Sequence, residues 1–405
     1  MNQNFIRFLE SLQNVEKTRN FNVFKDYSLT ELSQTWNDIR SKYSPSSPVR
    51  FSVIGTNAKG STSHYLAHLL SSPYNIVGLY TSPHLISPIE RLSILNNPSN
   101  DSDIEDFFAN DFSKYSDQLK GLSYFEFLTI FTYFYFQSKS TKFEIWEAGL
   151  GGRLDATKLV QAEVIVLTKI GLDHSEILGD TKEKICIEKL GIIGSNTKFV
   201  FSMDQKDTKL NQLIESIVSK HKLPLKIFKS DLDDDDIPYL EKNFKYAKFI
   251  IDQMLDDGYL RRTDIIKKSF TELPKPKGRM EVLSKNPYIV FDPAHNPDAI
   301  RYSLQEIFHQ KNRIHLILGS LRDKDRQGIL DELRNFPVAS LCFFEGEGFG
   351  VFPRVSLPFP TQTVSSISEL GTFVKSVDGA IFALGSFRLY EIVSKVLQIT
   401  TIMEN

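Results

Sequence analysis

Several features are scarce in this sequence. Only two cysteines, Cys186 and Cys342, occur in 405 residues, and they lie far apart. No disulfide framework is expected from them, and a reducing cytosol is the expected setting. Neither charge sign prevails: 48 Lys plus Arg face 50 Asp plus Glu, a net of −2. Nucleic-acid and membrane-surface proteins need a concentrated basic face, so neither partner is expected. No apolar run approaches the ~20 residues of a membrane span. The opening stretch, Met1 to Glu10, lacks the sustained apolar core of a signal peptide. What remains is a soluble, cytoplasmic chain long enough for two or three domains.

Short β-rich apolar runs alternate with helical patterns, which predicts α/β architecture with largely parallel sheets. The expected strands are Arg50–Ile54, Ile76–Tyr80, Glu144–Ala148, Glu163–Thr168 and Lys198–Ser202. Phe127, Phe131 and Phe134 recur at helical spacing and predict a core helix over 123–136. Two prolines and a glycine in Leu273–Gly278 break the pattern and predict a linker over 273–278. The domains expected on either side are 1–272 and 279–405. The second αβ series has strands Tyr288–Phe291, Arg313–Leu318, Val338–Phe343 and Ala380–Leu384. Helices are expected from Asp298 and near Lys324–Arg334. The acidic run Asp231–Asp236 lacks metal-ligand spacing and is expected to be a solvated loop.

Residues 55–62, Gly-Thr-Asn-Ala-Lys-Gly-Ser-Thr, join a strand to a helix through a tight polar turn. Backbone N–H groups and the positive helix N-terminus at such a turn surround an anion, and Lys59 adds a full charge. Gly60 separates Lys59 from Ser61, unlike the common Gly-Lys-Ser/Thr order. Further polar segments fall where buried strands should end: Thr81–Leu85, Glu147–Asp155 and Gly171–Ser175, with Ile187–Ile192 at a helix end. Glu147 closes an otherwise apolar strand, where a carboxylate must be paired or bind a cation. The hydroxyls of Ser61 and Ser82 with Glu147 form an oxygen set suited to Mg²⁺. A salt bridge between Glu147 and Arg153 stands level with that reading. Tyr124 and Phe125 suit either ligand stacking or core packing.

In order along the chain, Gly55–Ser61, Tyr80–Leu85, Ser123–Phe127, Glu147–Thr157, Ile170–Leu178 with Glu188-Lys189, Gly278–Val282 and Asp292–Pro297 resemble the folylpolyglutamate synthase/dihydrofolate synthase family. That family lies within the Mur ligase superfamily, and the resemblance covers roughly residues 50–300. It implies a P-loop-type Mur ligase ATPase domain followed by a smaller Rossmann-like α/β domain. The implied activity is ATP-dependent: a pterin-bearing carboxylate becomes an acyl phosphate, and L-glutamate supplies the attacking amine. By resemblance, Gly55, Thr56, Asn57, Ala58, Lys59, Gly60, Ser61 and Thr62 form the nucleotide turn, joined by Asn243, Arg279 and Asp292. Ser61, Ser82 and Glu147 would hold a first Mg²⁺. Glu147 and His174 would hold a second, together with a carbamylated Lys189. Lys59, Glu147, His174 and Lys189 are the implied catalytic set. Tyr124, Phe125, Glu126, Arg153 and His295 are the implied substrate side. Small-molecule substrates and a monomer are expected. Without the family, Lys189 reads as an ordinary lysine paired with Glu188 or solvent.

Three positions depart from the family pattern: Ala58 and Pro293 replace Gly, and Lys158 replaces Asn. If position 58 needs a positive φ, alanine there is strained. Two rival functions are retained: a Mur-type amide ligase with a non-folate acceptor, and a nucleotide-binding ATPase without ligase activity.

Overall fold

The structure is a computed structural model that describes residues 4–18, 28–41, 47–98, 100–229, 237–311 and 313–404. The acidic run Asp231–Asp236 lies outside the described residues. The chain forms two compact units. The first runs through His84, resumes at Pro88, and later includes Glu241–Leu273. The second contains Leu85–Ser87, the described residues Ile237–Leu240, and the chain from Pro274 onward.

The first unit is built on a seven-stranded sheet. In chain order its strands are β1 (Val49–Ile54), β2 (Val77–Tyr80), β3 (Leu92–Leu95), β4 (Phe143–Glu147), β5 (Val164–Leu167), β6 (Phe199–Met203) and β7 (Leu225–Phe228). In space they run β3-β2-β4-β1-β5-β6-β7, all parallel except edge strand β3. Central strand β1 is buried at every position after Val49. A parallel strand covered on both faces reads as a continuous apolar run, which is why this one is legible in the sequence. Its register sets Val53 opposite Glu147 of β4 and Ile54 opposite Leu167 of β5. The carboxyl ends of these strands therefore lie side by side, where open α/β sheets present their ligand-binding turns.

Helix Tyr124–Ser138 shows how local chemistry and burial cooperate. Ser123 and Glu126 form a reciprocal capping box that satisfies backbone donors at its start. Phe127, Phe131 and Phe134 are fully buried, in a cluster with Phe5, Leu9 and Trp36 from the N-terminal helices. Burying each such side chain favours folding by roughly 1.5–3 kcal/mol before entropy is counted.

The second unit carries a six-stranded sheet. Its strands are β8 (Glu281–Lys285), β9 (Tyr288–Phe291), β10 (Ile314–Leu318), β11 (Ser340–Phe344), β12 (Thr361–Val364) and β13 (Ala380–Leu384). They are ordered β12-β11-β10-β13-β9-β8, with only β8 antiparallel to its neighbour. Helices Pro297–Gln310 and Arg326–Leu333 occupy the two expected helical stretches. Both cysteines are free and buried. Among the described residues no helix is long and apolar enough to cross a membrane.

Candidate functional site

The turn after β1 is held from beneath by the end of β5. The amides of Thr56 and Asn57 donate to the Lys169 carbonyl at 2.8 and 3.3 Å, and Thr168 Oγ1 donates to Asn57 O at 2.7 Å. Gly55 has φ +146°, and a Cβ there would stand 1.9 Å from Thr168 Oγ1, so only glycine fits. Ala58 is the N-cap of helix Lys59–Leu70, with φ 73° and ψ −5°. The position does need left-handed backbone, and alanine carries the strain. No side chain caps this helix. Its N-terminal amides and positive dipole end are thus arranged as an anion cradle requires. Lys59 Nζ donates to Thr56 O at 3.3 Å, folding the charge back over the turn. Gly60 follows within the first helical turn.

Ser61 is 1% exposed and its hydroxyl accepts the Asn243 amide at 2.7 Å. Asn243 lies on helix Tyr239–Asp256, so the structure brings this distant position against the turn. Thr62 differs from expectation. Its side chain is fully buried, its hydroxyl has no partner, and only its amide engages the turn, donating to Ala58 O at 3.0 Å.

Glu147 ends β4 and is buried, and its Oε2 accepts the Ser82 amide at 3.1 Å. The alternative pairing with Arg153 is not what forms. Arg153 Nε instead reaches both carboxylate oxygens of Glu188 at 3.1 Å, and its amide donates to Glu188 O at 2.8 Å. Glu188 is thereby engaged, and Lys189 is not an ordinary surface lysine. Lys189 is only 4% exposed, on helix Lys182–Leu190. Burial, and then the neighbouring charge of Lys59, pull its ammonium down to about 7, against the opposing pull of Asp173 and Asp155. Gly152 makes the close packing possible, since a Cβ there would sit 2.1 Å from the Lys189 carbonyl oxygen.

His174 takes a left-handed conformation (φ 52°) at the head of the short helix Ser175–Leu178. Its amide donates to Asp173 Oδ1 at 3.0 Å, and its Nε2 lies 3.9 Å from Asp173 Oδ2. Sequence reasoning singled out His174 and passed over Asp173 and Asp155. Asp155 is buried and accepts from Leu150 N, Thr157 N and the Thr157 hydroxyl at 2.8, 2.9 and 2.5 Å. Burial raises its carboxyl, and these donors oppose the rise. Acidic residues two positions beyond Gly171 and three beyond Gly152, in strand-end loops, were the available signal for both.

On the side of β2, Tyr124 is buried, and burial pushes its phenol up to about 12. The Phe125 ring lies 5.9 Å from that of Tyr80 and fills the space a Gly149 side chain would need. Glu126 is occupied by the capping box, where its Oε2 accepts the Ser123 amide at 2.7 Å. Nearby, Arg91 is buried and His84 is drawn down to about 4, mainly by burial and then by Arg91.

In the second unit, Asp292 is buried at the end of β9. It accepts from Met280 N, Ala294 N and Ser303 Oγ at 3.1, 3.0 and 3.0 Å, and from the Tyr239 hydroxyl. The Ala294 bond is the Asx-turn pattern, so Asp292 organises its own loop. The Arg279 guanidinium lies 4.8 Å from the Phe387 ring centroid. His295 approaches the same ring at 6.3 Å, and its Nδ1 is 2.8 Å from Pro293 O. Phe387 was not anticipated from the sequence. Glu306 is also buried, and one of its carboxylate oxygens lacks any hydrogen-bond partner. Burial, and then Asp292, raise Glu306 to about 7.

In the second unit, residues 278–347 match the Mur ligase, glutamate ligase domain. A dihydrofolate synthase/folylpolyglutamate synthase of Buchnera aphidicola is 35% identical over 299 residues, covering 70% of this chain and 72% of the relative. Among solved structures, an E. coli FolC in complex with DHPP and ADP superposes with a TM-score of 0.76 at 25% identity, covering 100% of this chain and 98% of that one. A bifunctional folylpolyglutamate synthase/dihydrofolate synthase with Mn, AMPPNP and L-glutamate bound gives 0.73 at 25% identity, covering 92% and 95%. The chain belongs to the dihydrofolate synthase/folylpolyglutamate synthase family.

Proposed function

We propose that this chain is an ATP-dependent C–N ligase that adds L-glutamate to dihydropteroate, to reduced folates, or to both. The observation that carries the reading is the turn Gly55–Thr62 in a chain of this family. Its left-handed residue aims an uncapped helix N-terminus and Lys59 at one point, while Asn243 fixes Ser61 beside it.

A carboxylate resists attack by an amine because its carbon is a poor electrophile and its oxygen a poor leaving group. Attack of the acceptor's carboxylate oxygen on the γ-phosphorus of ATP breaks the bond to ADP and forms an acyl phosphate. The glutamate amine then attacks the acyl carbon, phosphate departs, and the amine gives up a proton. The N–H groups of the turn and the Lys59 ammonium offset charge on the phosphates as it shifts.

The buried Glu147 carboxylate, whose Oε2 accepts the Ser82 amide, would join the Ser61 and Ser82 hydroxyls in a hard oxygen set that fits Mg²⁺. Bound there, and at a second position held by Glu147, His174 and a carbamate on Lys189, Mg²⁺ would supply positive charge to the phosphate oxygens. Burial of Lys189 between Lys59 and the acidic pair Asp155 and Asp173 supports the carbamate, because an ammonium there is poorly solvated. The unprotonated amine adds to CO₂ and releases a proton, turning a cation into an anionic oxygen ligand. Arg279, Asp292 and His295 are assigned to nucleotide or substrate contact on the second unit. Tyr124, Phe125 and Arg153 are assigned to the acceptor side.

The test is mass analysis of products from ATP, glutamate and either dihydropteroate or tetrahydrofolate, alongside ADP release. A glutamylated product and ADP release that needs both acceptor and glutamate are expected. ADP release indifferent to both would make the chain a simple ATPase. Lys189→Ala should lose most activity, and full activity in that variant would remove the carbamate from the scheme.

A further inference from the structure

One buried cation plays no part in the phosphate chemistry. Arg91 closes the turn Pro88–Arg91 and is 1% exposed. Its Nη1 and Nη2 donate to the two oxygens of Glu16 at 2.9 and 2.5 Å, and its Nε donates to Nδ1 of His84 at 2.9 Å. The guanidinium carbon lies 5.4 Å from the centroid of the Tyr124 ring. Its own carbonyl accepts the Thr81 amide at 2.9 Å, tying the turn to the end of β2.

An arginine cannot surrender its proton, so it is always the donor in its contact with His84. Nδ1 of His84 must then present its lone pair, and the proton of the neutral ring resides on Nε2. Among the described residues no other hydrogen bond reaches His84. The ring is held by a buried, forked ion pair yet keeps a donor that no described residue uses. Such a device fixes a direction as well as a tautomer.

Chain position sets His84 beside the residues assigned above to the acceptor side of the site. His84 lies two residues beyond Ser82, whose amide rests on Glu147. Tyr124, beneath Arg91, adjoins Phe125, whose ring packs on Gly149 in the loop after Glu147. Strand β4 separates β2 from β1. Two strand spacings therefore separate this turn from the phosphate turn, roughly 10 Å. On the ligase reading, the acceptor whose carboxylate meets the γ-phosphate is assigned to this side.

We propose that the Nε2–H of His84 donates a hydrogen bond to an oxygen or ring nitrogen of the acceptor substrate. Arg91 is the positioning residue that holds the tautomer, with Glu16 as its counter-ion. The inference rests on the ligase reading for the identity of the substrate, and on the Arg91–His84 geometry for everything else. A neutral donor at this point recognises substrates that present an acceptor atom and leaves ATP and glutamate binding untouched.

The experiment has a kinetic and a spectroscopic arm. His84→Ala and Arg91→Met should each raise KM for dihydropteroate or tetrahydrofolate by about tenfold, the scale of one lost hydrogen bond. KM for ATP and for glutamate should stay within about twofold in both variants, and His84→Gln, whose amide can donate from nearly the Nε2 position, should recover part of the loss. In ring-¹⁵N-labelled protein, His84 should show the Nε2–H tautomer in the parent and in Glu16→Gln, and a mixture in Arg91→Met. Dihydropteroate should shift the parent's Nε2 resonance. An unchanged acceptor KM in His84→Ala, or an Nδ1–H tautomer in the parent, overturns the proposal. Absence of turnover in the parent would count against the ligase reading. The response of the Nε2 resonance to dihydropteroate then decides the His84 contact by itself.

Discussion

Glu306 offers a quantitative handle on the second unit. It is 6% exposed on helix Pro297–Gln310, next to the four-donor Asp292, with one oxygen unpaired. Its folded-state value of about 7 lies above the ordinary 4.5, through burial and then Asp292. Between those values the folded chain holds a proton that the unfolded chain has released. The slope of stability with pH is therefore negative in that window, and stability present below about 4.5 is lost as pH rises through 7. At 1.36 kcal/mol per unit, the full loss by pH 8 is about 3 kcal/mol. Glu306→Gln removes the titration while keeping shape and an acceptor for the Tyr239 amide. Tryptophan fluorescence is the wrong probe, because Trp36 and Trp146 both lie in the first unit. Hydrogen exchange on helix Pro297–Gln310 reports the second unit directly, comparing parent and variant at matched pH. The two should agree near pH 4.5 and diverge toward pH 8, the variant being the more protected. Parallel protection across the range would refute the buried-carboxylate argument.

Lys59→Ala should abolish acceptor-dependent ADP release while leaving thermal unfolding unchanged, because the side chain serves charge rather than packing; near-parental kcat would exclude the role. Glu147→Gln keeps the shape of the strand end but loses the anionic oxygen, so Mg²⁺ titration of activity should shift to much higher concentration; coincident curves would make Glu147 structural. Ala58→Gly removes a left-handed strain of roughly 1–2 kcal/mol and gives back part of it through the freer unfolded chain. A gain of up to about 1 kcal/mol in urea unfolding of the first unit is expected, and a clear loss would show that the alanine methyl contributes more by packing than it costs in strain.

The strands that the sequence announced are those buried on both faces. Val49–Ile54, Val164–Leu167 and Ala380–Leu384 lie within a residue or two of their expected bounds. Edge strands β3, β7, β8 and β12 are absent from the sequence expectation for a physical reason. Thr361–Val364 exposes three of its four residues, so no apolar pattern marks it, and its pairing is a long-range property. Site residues showed the same division. Lys59, Ser61 and Glu147 stand out because strand, turn and helix are contiguous in sequence. Arg91, Glu306 and Phe387 matter through partners many positions away, which a single chain of letters does not display. The alternative of a Glu147–Arg153 bridge falls on the same ground: Glu147 is closer in sequence, but Arg153 pairs with Glu188, 35 positions on.

The glycines behind Glu147 have a genetic consequence. At Gly149 the three atoms nearest to an added methyl all belong to the Phe125 ring, the first at 2.7 Å, so a smaller residue at 125 could restore the fit. At Gly152 the obstacle is the Lys189 main-chain oxygen, which no substitution trims. A selection for second-site revertants should recover compensating changes at position 125 for Gly149→Ala. For Gly152→Ala it should return only the original codon, because the contact that fails is common to all twenty amino acids.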